Sequence, residues 1–184
     1  MIGKVPLDQL AKNYNLTVEW KAFELRPEGI EIPEKSPSFI ARAKAGIEAL
    51  GQKNGLKMTF NENSKHSNLA LEGSKYAEEH GLENAYHDAV FAAQFQEEKN
   101  INDLQVLTEI AVRIGLDRED FLNSLAARKY KKAVLADEEE AQRLGIHLIP
   151  CFIVDGLAVN GAQSYESLEK LLQGHGFKIT GKLL

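Results

Sequence analysis

Cys151 is the only thiol in the chain, and it follows directly on Ile149-Pro150. A cysteine does chemistry as its thiolate, but this one opens the apolar run Cys151-Phe-Ile-Val154, where a free cysteine behaves as a small, inert hydrophobe. A single cysteine also excludes an intramolecular disulfide and a cysteine-rich zinc site. His80, His87 and His175 have no acidic or histidine partner at a ligand spacing, so no metal site is expected. The chain has no Walker A loop, no Gly-x-Gly-x-x-Gly and no Gly-x-Ser-x-Gly. Ile149-Pro150 is the remaining focus. A proline cannot donate to a β ladder, so Pro150 belongs at a strand start or a bulge, and an Ile-Pro bond entering a hairpin is a candidate for a cis peptide.

The elements around that proline follow from local patterns. Asp155-Gly156 between two apolar runs predicts a tight hairpin, because a type I′ turn needs positive φ at both central residues. After Val159-Asn-Gly-Ala-Gln163, Ser164 caps a last helix from Tyr165 to Leu172, ending at Gly174. At the other end, residues 7–14 carry Leu7, Leu10 and Ala11 at the spacing of a helix end. Leu16, Val18, Trp20 and Ala22 then alternate with polar residues and predict a strand from Leu16 to Leu25. A proline-rich connection follows, through Pro27, Pro33 and Pro37.

From about Ser38 to Leu144 the pattern is helical. Ser38 is expected to cap a helix running to Leu50, stopped by Gly51 and Gly55, and Ser67 or Asn68 to cap one through Glu79. Glu83 to Glu97 and Asp103 to Ile114 make two more, and Asp117 opens a final block that Gly145 ends. A helical block of this size between β elements predicts an α/β fold with a large helical insertion: residues 1–37 and 145–184 form one discontinuous domain, and residues 38–144 the insertion.

Bulk properties narrow the partners. The chain of 184 residues is 43% hydrophobic and 27% charged, an ordinary globular composition. Its net charge of −5 comes from dispersed acids, and the one basic cluster, Arg128-Lys-Tyr-Lys-Lys132, is short and reads as a solvated helix face. Nucleic acid is therefore not an expected partner, since its affinity comes largely from Lys and Arg on phosphates. No segment approaches the ~20 apolar residues that span a bilayer, and the first residues lack a secretory signal, so a cytoplasmic protein without a membrane partner is expected.

Several of these stretches together resemble the DsbA-like thioredoxin-fold family, in the branch of the polyketide-associated oxidoreductases and the 2-hydroxychromene-2-carboxylate isomerases. Val18-Glu-Trp-Lys-Ala-Phe-Glu-Leu25 is similar to a strand of that branch, and Asn102 to Gly115 and Asp137 to Gly145 to its helical insert. Gly145-Ile-His-Leu-Ile-Pro150 is similar to its cis-proline loop, and Asp155-Gly156 with Val159-Asn-Gly-Ala-Gln163 to its hairpin and the helix start after it. The resemblance covers essentially the whole chain. It implies a thioredoxin-like α/β fold and thiol–disulfide oxidoreduction on a protein or small thiol substrate, with no resident cofactor.

The resemblance also implies a site. Ile149 and Pro150 would hold an extended substrate through backbone hydrogen bonds, and His147 would lie near the thiols, where an imidazolium favours a thiolate. His66 stands where the isomerase branch has an asparagine beside its active site. Family members carry a first strand and a Cys-x-x-Cys motif ahead of the stretch resembling Ile2-Gly-Lys4, and neither is present in this sequence. The expectation is that Met1 is an internal methionine and that the redox cysteines precede it, so that the chain as given performs no exchange. Two other readings follow from the same fold. One is a glutathione-dependent isomerase or transferase using an upstream serine, with glutathione as substrate. The other is a non-enzymatic binding or assembly protein, as a homodimer.

Overall fold

A computed structural model of the chain describes residues 1–63, 66–174 and 176; His175 and the expected domain's last residues, 177–184, lie outside them. In chain order the elements are α1 (Lys4–Tyr14), α2 (Pro37–Lys53), α3 (Asn68–Glu79), α4 (Glu83–Phe95), α5 (Leu104–Arg113), α6 (Arg118–Ala126), α7 (Lys131–Arg143), β1 (Cys151–Val154), β2 (Leu157–Asn160) and α8 (Tyr165–Gly174). Contacts within the chain separate residues 1–21 with 141–184 from residues 22–140.

The first unit is built on the hairpin. β1 pairs antiparallel with β2, Phe152 opposite Val159 and Val154 opposite Leu157, and Asp155 and Gly156 both take positive φ as the two-residue turn demands. Strand residues alternate faces, so Phe152 and Val154 point the same way, and both pack on a buried cluster of Leu10 and Tyr14 from α1 with Leu168 and Leu172 from α8. Ser164 Oγ accepts the N–H of Ser167 and begins α8 as the sequence predicts. The Ile149–Pro150 peptide is cis.

The second unit is helical. Its core is the buried face of α3, α4, α5 and α6, with Tyr76, Tyr86, Leu107, Phe121 and Leu125 at its centre. Tyr76 stands edge-on to both Phe121 and Tyr130, an arrangement that suits the ring quadrupoles. Its hydroxyl donates to Asp120 at 2.7 Å.

Three expectations change here. No strand forms between residues 16 and 25. A ladder needs a neighbouring backbone, and in the second unit this segment meets side chains instead. The Ala22 N–H donates to Asp137 Oδ2 at 2.8 Å, and the Glu24 N–H is held by the carboxylate of Glu138. Two successive acids of α7 thus take two alternate N–H groups of one extended edge. The second change is at α2, which starts two residues earlier than expected: Ser36, not Ser38, is the cap, accepting the Phe39 N–H at 3.3 Å with Pro37 in the first turn. It also runs through Gly51 to Lys53, because Leu56 folds back so that its carbonyl would lie 2.6 Å from a Cβ at Gly51. Third, neither Ser67 nor Asn68 caps α3 with its side chain; the carboxylate of Glu24 accepts the Ser67 N–H instead. The block from Asp117 to Gly145 folds as two helices, separated at residues 127–130 where Arg128 adopts φ 54°.

Candidate functional site

The site assembles where α1 begins. Pro6 falls in the first turn, the one part of a helix where a missing N–H costs nothing, and so marks the start just before it. Gly3 precedes that turn, is buried, and has no side chain to keep the neighbouring chain away. A Cβ at Gly3 would lie 3.0 Å from Pro150 Cγ and 3.2 Å from Phe152 Cζ. The glycine therefore lets the Pro150 ring rest against the helix's N-terminal end.

That end is electropositive. The first turn of α1 contains no acidic residue to oppose the partial positive charge of the helix end, although the Lys4 N–H already donates to the Met1 carbonyl at 3.0 Å and Pro6 has no N–H. The buried Lys4 ammonium beside it is paired with Asp8 Oδ2 at 2.6 Å, with the Trp20 ring centroid 6.0 Å from its Nζ. An anionic sulfur or carboxylate placed at this helix end would be stabilised.

The Pro150 loop supplies the other wall. His147, Ile149 and Pro150 are all exposed, and the Ile149 side chain is 42% accessible. The Pro150 carbonyl accepts the Gly161 N–H at 2.7 Å, which ties the loop to the far end of the hairpin. The Ile149 N–H and C=O have no partner among the described residues, so a donor and an acceptor stand ready at an exposed position. An extended backbone laid alongside would satisfy both.

Cys151 is next in sequence but not in chemistry. It is half-buried on β1, and burial pushes its thiol above the ordinary range, toward the protonated and unreactive form. His66 belongs to the second unit, where its Nδ1 lies 3.1 Å from the Arg26 carbonyl oxygen. The structure thus gathers His147, Ile149 and Pro150 on one loop and gives His66 a backbone partner of its own. Gly3 was missed by reading from sequence. Its signal was the Gly-Lys-Val-Pro order, a small residue just ahead of a proline that fits only a first helical turn. No group of three or more potential metal ligands occurs among the described residues. No described helix is long and apolar enough to cross a membrane.

Comparison with known proteins agrees with this architecture. The profile of the DSBA-like thioredoxin domain matches residues 1–173. The protein YwbO of Bacillus subtilis is 32% identical over 179 residues, 93% of this chain and 88% of that protein. A crystal structure of a probable DsbA oxidoreductase from Streptomyces coelicolor superposes with a TM-score of 0.80 at 29% identity, over 100% of this chain and 87% of that one. A 2-hydroxychromene-2-carboxylate isomerase, 18% identical with a TM-score of 0.71 over 95% of this chain and 87% of its own, shares the fold.

Proposed function

Because this chain belongs to the DsbA-like thioredoxin-domain family, we propose that its function is thiol–disulfide oxidoreduction, and that residues 1–184 supply the substrate platform for it. The supporting observation is the packing of Gly3 on Pro150 and Phe152, which sets a helix N-terminus without first-turn acids against the loop that carries the free backbone groups of Ile149. An extended segment bearing a thiol or disulfide would bond its backbone to Ile149 and bring its sulfur toward α1. The helix end would stabilise the thiolate released there.

Exchange itself has a fixed stoichiometry. A thiolate attacks one sulfur of a disulfide, the other sulfur leaves as a thiolate, and a second thiol of the enzyme resolves the mixed disulfide. Cys151, the sole cysteine of the sequence, is half-buried with its thiol held toward the protonated form, and in this reading it takes no part. Residues 1–184 then bind substrate without turning it over.

The test pairs an assay with a map. The 184-residue chain should give no insulin reduction above buffer. A cysteine-containing peptide blocked as its glutathione mixed disulfide should shift the amide resonances of Gly3, His147, Ile149 and Cys151 saturably. Insulin turnover by this chain, or shifts confined to other residues, would overturn the proposal. Saturable binding of reduced glutathione with no response to the peptide would turn it toward a glutathione-dependent isomerase or transferase.

A further inference from the structure

The second unit carries a hollow that the proposed chemistry does not use. It is an open depression of about 680 Å³, lined by Ile32, Pro33, Phe39 and Phe60 together with Arg26, Glu34, Lys35 and Ser36. That volume lies within the ~300–1,000 Å³ of small-molecule sites. Phe39 is 45% exposed although it sits edge-on to Phe60, with ring centroids 6.4 Å apart. Two rings, an isoleucine and a proline thus leave apolar surface facing water in one place.

The charges around this surface are unbalanced. Lys35 Nζ lies 4.7 Å from the centroid of Phe60, a cation–π contact with a ring rather than an ion pair. Neither Lys35 nor Arg26 makes an ion pair among the described residues. Elsewhere in this unit Lys44, Lys75, Lys99, Arg128 and Lys131 each have a carboxylate within 3.2 Å. The hollow sets two cations against the single acid Glu34, in a protein whose net charge is −5. Local positive charge beside apolar walls complements a ligand with one anionic head and an apolar body. A cationic or neutral polar ligand would gain from only one of these features. Arg26 is suited to the head, since its planar guanidinium can bond both oxygens of a carboxylate.

We propose that this hollow binds a small amphipathic carboxylate, its chain against Phe39, Phe60, Ile32 and Pro33 and its head between Arg26 and Lys35. The assignment uses residues of the second unit alone and is independent of the thiol chemistry proposed above.

Decanoate, decyltrimethylammonium and acetate serve as probes, titrated into the full chain below the concentration at which either long-chain probe self-associates. Decanoate should shift the resonances of Arg26, Ile32, Lys35, Phe39 and Phe60 saturably, while acetate and the cationic probe leave them in place. The double variant Arg26→Glu with Lys35→Glu, both at half-buried positions, should weaken decanoate at least tenfold without changing the remaining spectrum. Equal binding of the anionic and cationic probes would overturn the proposal, as would no saturation or an unchanged affinity in the folded double variant. Should the variant not fold, the comparison of the two head groups on the native chain still decides.

Discussion

Glu24 caps α3 from 43 positions away, its Oε1 accepting the Ser67 N–H at 2.8 Å. The first N–H groups of a helix have no partner within it, and here a buried carboxylate from a distant segment serves one of them. The opposite end of the same segment is fixed in turn, Ala22 by Asp137 and the Glu24 N–H by Glu138. Cap and anchor are one device, and it fixes the segment where the sequence predicts a strand. Removing the Glu24 carboxylate leaves the Ser67 N–H unsatisfied at a half-buried position. Glu24→Ala should therefore cost about 1–3 kcal/mol in urea unfolding, whereas Glu24→Gln, which keeps an acceptor oxygen, should cost less. Amide exchange at Ser67 should quicken in the alanine variant before that of α5 does.

Gly3 makes a second, steric test. Its φ of −71° is open to any residue, so alanine there strains no backbone, and its effect comes through the 3.0 Å approach to Pro150 and the 3.2 Å approach to Phe152. One added methyl must push the Pro150 loop off the end of α1. Gly3→Ala should destabilise the chain by about 1–3 kcal/mol and shift the Ile149 and Pro150 resonances, with weaker binding of the mixed-disulfide peptide. Unchanged Pro150 resonances would show that the contact is not maintained in solution.

These two residues mark how far sequence reading reached. Asp155-Gly156 announces its turn because few residue pairs tolerate two positive φ values, and the helices of the second unit announce themselves by apolar spacing. Glu24 and Asp137 gave no such signal, because a carboxylate that captures a backbone N–H across the fold looks like any surface acid in a one-dimensional pattern. Leu16 to Leu25 illustrates the converse. Alternation reports which side chains face a core, and it is silent on whether a neighbouring backbone exists to complete a ladder. Of the candidate site, Ile149, Pro150 and His147 were legible because a proline before an apolar hairpin is rare punctuation. Gly3 was not, since its role is a closeness that only the folded chain creates.

Asp137 shows what a buried acid carries. Its Oδ2 accepts both the Ala22 N–H and the Lys75 ammonium at 2.8 Å, and only 9% of its side chain is accessible. Burial works against the Lys75 charge, but Asp137 and then Glu78 more than offset it, and the lysine's pKa stands above the ordinary range. Asp137→Ala leaves the Ala22 N–H without its acceptor while Lys75 keeps Glu78 at 3.2 Å, so a loss of about 1–3 kcal/mol is expected in urea unfolding. Lys75→Met should cost less, since Asp137 keeps its backbone donor and some solvent access.

Acid unfolding offers a check on Glu28. Arg128 and then Lys131 hold its carboxyl at about 2, below the ordinary 4.5. A depressed folded value means that ionised Glu28 contributes stability fully above pH ~4.5, and that this contribution fades as pH falls from there toward 2. Nearly half of the side chain is exposed, at 49%, so solvent screening limits the pair to about 1 kcal/mol or less. Glu28→Gln should leave a flatter stability profile between pH 4.5 and 2 and match the native chain below that window.

Tyr86 and Gly73 are the closest test of packing in the second unit. The Tyr86 hydroxyl is buried with no hydrogen-bond partner among the described residues, and burial alone pushes its pKa far up. It sits where a Cβ at Gly73 would be, 2.1 Å from its oxygen and 2.7 Å from Cζ, with Phe121 Cζ at 3.1 Å behind. Tyr86→Phe removes an unsatisfied polar atom from a dry site and should be neutral or stabilising by up to about 1 kcal/mol. Gly73→Ala drives a methyl into that oxygen and should cost about 3 kcal/mol or slightly more, at the upper end of overpacking penalties. The double variant decides between packing and helix propensity. Removing the hydroxyl relieves the shortest contact but not the one to Cζ, so Tyr86→Phe should recover part, not all, of the Gly73→Ala loss. The two changes should couple by about 0.5–3 kcal/mol in a thermodynamic cycle, and simple additivity would mean that Gly73 is not held against this ring.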